Sequence, residues 1–104
     1  PTNVEVSTEP PQRFLLSQNY PNPFNPSTTI SFHVPFTSNV SLKIYDILGR
    51  EVRTLLDNES LDAGNHKAVW NGKDKFGLPA ASGTYFYRFD GKDFSVTRQM
   101  VLVK

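Results

Sequence analysis

Histidine is the side chain whose ordinary pKa lies nearest neutrality, and this sequence has two, His33 and His66. They are the first place to look for proton transfer or metal binding. Neither belongs to an H-x-H or H-E-x-x-H spacing, so a metal would need carboxylates converging from elsewhere in the chain. Alternation places His33 on a solvent face and His66 at the start of a strand, and both read as structural. There is no cysteine, which excludes disulfides, thiolate ligands and a cysteine nucleophile. No G-x-S-x-G elbow presents a serine. The loop Asn71–Gly77 has the look of a calcium loop, but lysines occupy alternate positions where oxygen donors are needed; it reads as a solvated turn. The glycines are too scattered to cradle a phosphate. The sequence therefore predicts no catalytic residue, no cofactor and no metal.

Aromatic residues are the enriched class, with eight Phe, four Tyr and one Trp. Exposed, they would make a sugar-stacking platform; buried, they fill a core. Phe32, Trp70, Tyr85, Tyr87 and Phe89 follow the inward period of strands and read as core, leaving Phe86 as the outward exception. The segment Asn19–Thr28 is different. Pro21, Pro23 and Pro26 fix local φ, remove three backbone donors and push the preceding residues towards extended geometry. Asparagine side chains between them can bond neighbouring backbone groups, and Tyr20 and Phe24 can pin the loop to the body. Physics alone leaves two readings open, a stiff corner between strands and a docking epitope.

The elements that must position these residues are strands. Ile30, Phe32 and Val34 alternate with Thr29, Ser31 and His33; Val40, Leu42 and Ile44 alternate with Ser41, Lys43 and Tyr45. A shorter strand follows at Glu51–Leu56, then one with His66, Ala68 and Trp70 inward, and one with Tyr85, Tyr87 and Phe89 inward. The last, Phe94–Val103, sets Phe94, Val96, Met100 and Leu102 on one face, with Arg98 as an exception. A weak strand at Phe14–Ser17 makes seven. Asp57–Asp62 is too short for a helix and lacks an apolar stripe. Asp90–Gly91 is the strongest hairpin signal. No internal repeat is visible. The pattern predicts an all-β, antiparallel β-sandwich, and 104 residues suit one core. Residues 1–13 read as a linker and 14–104 as the domain. Pro1–Arg13 has no apolar signal-peptide region, and a start at Pro1 suggests a piece of a longer protein. No apolar run is long enough to cross a bilayer as a helix. A net charge of +1 argues against nucleic acid or a strongly basic membrane patch.

The run Leu16–Phe32 (LSQNYPNPFNPSTTISF) resembles the opening motif of the type A C-terminal sorting domain of type IX secretion. Similarity continues through Val40–Asp46, Gly49–Val52, Ala63–His66, Trp70–Gly72, Ser82–Arg88 and Met100–Lys104, so it spans about Phe14 to the end. Ile44–Arg88 is also similar to the immunoglobulin-like domain of flagellar hook-capping proteins, with Asn71 where both families more often carry aspartate. The resemblance implies an immunoglobulin-like sandwich that acts as a non-catalytic address. It directs a larger cargo across the outer membrane of a Gram-negative bacterium, via the periplasm, to the surface or medium. A surface sortase would usually remove it by a cut in or near residues 1–13. The implied partners are the type IX translocon and sortase and the upstream cargo domain. The family's recognition elements map onto Pro21, Asn22, Pro23, Gly49, Gly83, Tyr85 and the strand ending at Lys104. On that strand Val101 and Val103 are apolar on the outward face, which fits either a covered face or strand addition to a receptor's sheet edge. An open edge predicts a monomer or weak dimer. The alternative is a structural or carbohydrate-binding accessory sandwich, distinguished by an exposed aromatic patch.

Overall fold

The computed structural model describes residues 12–104. Seven strands run in chain order: β1 Leu15–Leu16, β2 Thr28–Val34, β3 Ser38–Tyr45, β4 Glu51–Leu61, β5 Gly64–Trp70, β6 Gly83–Gly91 and β7 Phe94–Leu102. They form a three-stranded sheet, β1-β2-β5, facing a four-stranded sheet, β4-β3-β6-β7. Every strand pair is antiparallel. The chain changes sheet between β2 and β3, β4 and β5, and β5 and β6, giving the expected immunoglobulin-like sandwich. The proposed division at residue 13 lies partly outside the described residues.

The alternating residues named above meet between the sheets. Ile30, Val34, Leu42, Ile44, Trp70, Tyr87, Phe89 and Met100 are fully buried. At roughly 1.5–3 kcal/mol per buried apolar side chain, this stripe is the main favourable term holding the sheets together. Arg98 keeps its inward position by standing at the open side of the sandwich, exposed. From β7 its Nε donates to Leu16 O of β1 at 2.9 Å, tying one sheet to the other.

Three local expectations are corrected. His33 is buried, not solvent-facing. It lies in register between Leu15 and Asn65 of the flanking strands, and its Nδ1 is 2.7 Å from Asn65 Oδ1. Strand β4 runs on to Leu61, because Asn39 and Ser38 of β3 still offer partners to Ser60 and Leu61 after the register shifts. The β6–β7 hairpin turns at Lys92–Asp93, two residues later than Asp90–Gly91, with Gly91 paired to Phe94 and Asp93 at φ +56°.

Gly91 answers to packing, not to the turn. A Cβ there would lie 2.7–3.0 Å from three ring carbons of Phe14. That ring is itself held by Phe36, Phe89 and Phe94 at centroid distances of 5.7, 6.1 and 5.5 Å. Gly91→Ala is expected to cost about 1–3 kcal/mol through overpacking, read as a lower urea midpoint. An unchanged midpoint would mean that Phe14 has room to swing aside.

Candidate recognition surface

The proline loop and the terminal strand turn out to be one structure. β7 is an edge strand, and the loop covers the edge where it ends. Phe24 N donates to Val101 O at 3.0 Å, and Val103 N donates to Phe24 O at 2.9 Å. These two bonds make a one-rung parallel bridge between Phe24 and Leu102. Pro23 has no N–H to offer the ladder; the Asn22 side chain supplies the next contact, its Oδ1 accepting from Val101 N at 3.0 Å. The open edge expected at Val101–Val103 is therefore already paired within the chain. A receptor strand could add there only by displacing Phe24.

Phe24 does not displace easily. It is 2% exposed, and its ring packs on Trp70 at 5.6 Å between centroids. Trp70 in turn meets Tyr85 at 5.2 Å and donates from Nε1 to Lys73 O at 2.9 Å. Tyr20, expected to pin the loop as well, is 80% exposed; only its backbone is held, by two 2.9 Å bonds to Thr29. The peptides preceding Pro21, Pro23 and Pro26 are cis.

The loop's entrance is locked by groups that the sequence reading passed over. Asn19 and Thr28 are buried. Asn19 Nδ2 donates to Thr28 Oγ1 at 3.0 Å and to Pro21 O at 3.2 Å, and Thr28 Oγ1 donates to Pro21 O at 2.8 Å. The signal was an asparagine two residues before a proline, a place where an amide can replace a missing backbone partner. Tyr87 reaches across from β6: its hydroxyl donates to Ser17 O at 2.7 Å and accepts from Asn19 N at 2.9 Å. Burial raises the Tyr87 pKa, keeping the phenol a neutral donor. Tyr87→Phe would leave a buried amide and a carbonyl unpaired, an expected loss of about 1–3 kcal/mol in urea unfolding. No measurable loss would mean that water replaces the hydroxyl.

Behind this seam, Gly72 is buried with φ +77°, and a Cβ there would stand 2.7 Å from Pro26 O. The backbone of the 71–82 loop thus approaches the proline loop as only glycine permits. Tyr85 is buried, its hydroxyl donating to Ala81 O at 2.6 Å. Its pKa is raised by burial and secondarily by the charge of Asp46. Gly83 pairs with Leu102 at the start of β6, and Lys104 N donates to Ser82 Oγ at 3.1 Å.

Of the residues singled out from sequence, Pro21, Asn22, Pro23, Val103 and Lys104 lie exposed along the seam, while Val101 is half-buried in it. Tyr85 and Gly83 support it from beneath and beside. Gly49 sits in the β3–β4 turn, which shares a shallow cleft with Ser82, Gly83 and Tyr85. All nine therefore fall at one end of the sandwich. Phe86 does face outward, half-buried beside Tyr45. The exposed aromatics Tyr20, Phe36 and Phe76 sit on separate loops. Among the described residues, no three His, Asp or Glu side chains gather as a metal site.

Comparison with known proteins adds family to geometry. No protein of curated function matches the chain. Two solved structures share the fold, both from Porphyromonas gingivalis. One is dimeric latent PorU, with TM-score 0.70, 22% identity, and 94% of this chain matched to 10% of that one. The other is PorZ, described as an essential bacterial surface component of the type-IX secretion system, with TM-score 0.58, 24% identity, and 84% of this chain matched to 11% of that one. The chain thus spans about a tenth of the length of each. Residues 18–104 match the family described as the secretion system C-terminal sorting domain. This chain belongs to that family, whose members are non-catalytic signals for type IX secretion to the surface or surroundings of Gram-negative Bacteroidetes.

Proposed function

We propose that the end bearing Pro21, Asn22, Pro23, Gly49, Gly83, Tyr85, Val101, Val103 and Lys104 is the surface that the type IX translocon and sortase read. The observation that carries this is the seam itself. Hydrogen bonds from Val101 and Val103 to Asn22 and Phe24 place two segments about 80 residues apart in sequence on one exposed ridge. The address is then a folded shape and not a linear tail. Residues 1–13 link it to an upstream cargo domain, and the sortase cut falls there. The support is Phe14, 5% exposed among three other phenylalanines: a bond cut before it leaves the core intact. With the end of β7 covered by its own loop, the domain works as a monomer or weak dimer.

The test is an export assay in a type IX-competent bacterium. A reporter with a signal peptide carries residues 1–104, either unchanged or with Val103→Asp. Val103 is 46% exposed, so the change should move stability by no more than about 0.5 kcal/mol. Export of the parent and periplasmic retention of a folded Val103→Asp protein is the expected pair of results. Equal export of both would remove the seam as the surface that is read.

A further inference from the structure

Asn71–Gly72 is the one Asn-Gly pair in the sequence, and such a pair carries its own chemistry. Glycine has no side chain to shield its amide or restrict its rotation, so its nitrogen can reach the preceding side-chain carbonyl carbon. Having lost its proton to hydroxide, the Gly72 nitrogen bonds Asn71 Cγ and closes a five-membered imide. The Cγ–Nδ2 bond breaks, and ammonia leaves with a proton from water, which returns the hydroxide. Water then opens the ring at one of its two carbonyls. Cleavage of the new bond to Cγ gives aspartate; cleavage of the original peptide bond gives isoaspartate, with the main chain rerouted through Cβ and Cγ.

The fold restrains both partners of this reaction. Asn71 is exposed, but its Oδ1 accepts from Lys73 N at 3.0 Å. Gly72 is buried, and its carbonyl accepts from Ala80 N at 2.8 Å. Its α-carbon faces the proline loop so closely that a Cβ would stand 2.7 Å from Pro26 O. Trp70, the residue before the pair, is fully buried, and its Nε1 donates to Lys73 O at 2.9 Å. Ring closure needs the 71–72 peptide to turn and Asn71 to release Lys73. With Pro26 seated, Gly72 has no room to turn. We propose that Asn71–Gly72 is a self-modification site that the seated proline loop keeps shut. Local opening of that loop, and not the reactivity of the pair itself, then sets the rate.

The two products act differently on the seam. Aspartate keeps the main chain, and its carboxylate accepts from Lys73 N as the amide oxygen does. Isoaspartate adds a methylene to the main chain between Trp70, fixed in the core, and Gly72, fixed beneath Pro26. That extra length has nowhere to go without overpacking, so the proline loop cannot reseat. A domain that has stood open thus carries a permanent chemical mark, one form silent and the other disabling. This holds whether or not the same end is the one recognised in export.

The test follows the full chain at mildly alkaline pH, folded and in guanidinium chloride. The tryptic peptide 68–73, bounded by Lys67 and Lys73, reports conversion of Asn71 by mass and separates the two products by chromatography. Conversion is expected to be at least about tenfold slower in the folded chain, as for an event gated by local opening. Phe24→Ala, which removes the ring anchoring the loop on Trp70, should bring the folded rate towards the denatured one. If that variant does not fold, Thr28→Val replaces it, since it loosens only the loop's entrance at Pro21 O. After the denatured sample is returned to buffer, the folded fraction should contain aspartate at position 71 and lack isoaspartate. Equal rates in folded and denatured chains would overturn the proposal. So would a folded loop variant that keeps the parental rate, or isoaspartate shared equally between folded and misfolded fractions.

Discussion

Deleting Met100–Lys104 is expected to unfold this domain, not to leave a folded sandwich without an address. Met100 and Leu102 are 0% and 1% exposed in the centre of the core. Truncating a buried Met or Leu costs about 2–5 kcal/mol each, so the pair alone is worth about 4–10 kcal/mol. A domain of this size has about 5–15 kcal/mol in total. The deletion also strips the partners of Asn22 and Phe24 and removes Leu102 from opposite Gly83. Far- and near-ultraviolet circular dichroism of the shortened protein should show lost strand signal and a freed Trp70. A native-like spectrum would mean that the core closes without β7's end. The consequence for function is practical: failed export of such a deletion would report lost folding, and only surface substitutions can locate what is read.

Phe24→Ala is the second large effect, expected at about 3–5 kcal/mol. The ring fills the space over Trp70, and the same residue's backbone caps the edge of β7 through Val101 and Val103. Removing the ring should loosen both at once. In urea titration the midpoint should fall steeply, and the amides of Phe24 and Val103 should exchange faster than those of β2. Tyr20→Ala is the control. It removes an equally large ring from the same loop, but one that is 80% exposed, so its effect should stay within about 0.5 kcal/mol. Similar losses for both would mean that the loop is held by its prolines and backbone alone, with no special part for Phe24.

The contrast between Tyr20 and Phe24 shows how far a linear reading reaches. Nothing in the motif separates the two aromatics; which one is buried depends on Trp70, which lies 46 residues beyond Phe24. The same holds for His33. Alternation puts it on the outer face of β2, where solvent is expected; its burial comes from Leu15 and Asn65 on neighbouring strands. Asp90–Gly91 is a turn dipeptide in sequence, yet in the fold the missing side chain of Gly91 makes room for Phe14.

The order of residues alone carries the class of molecule: strands with correct inward faces, a single β-sandwich, no catalytic spacing, and a proline motif specific enough to name the family. These are legible because period-two alternation and proline geometry are local properties of the chain. That the proline loop caps the terminal strand, and that the nine candidate residues share one end, is visible only in the folded chain. Those facts are contacts between segments tens of residues apart, and an edge hydrogen bond between Phe24 and Val101 leaves no periodic trace in the order of either.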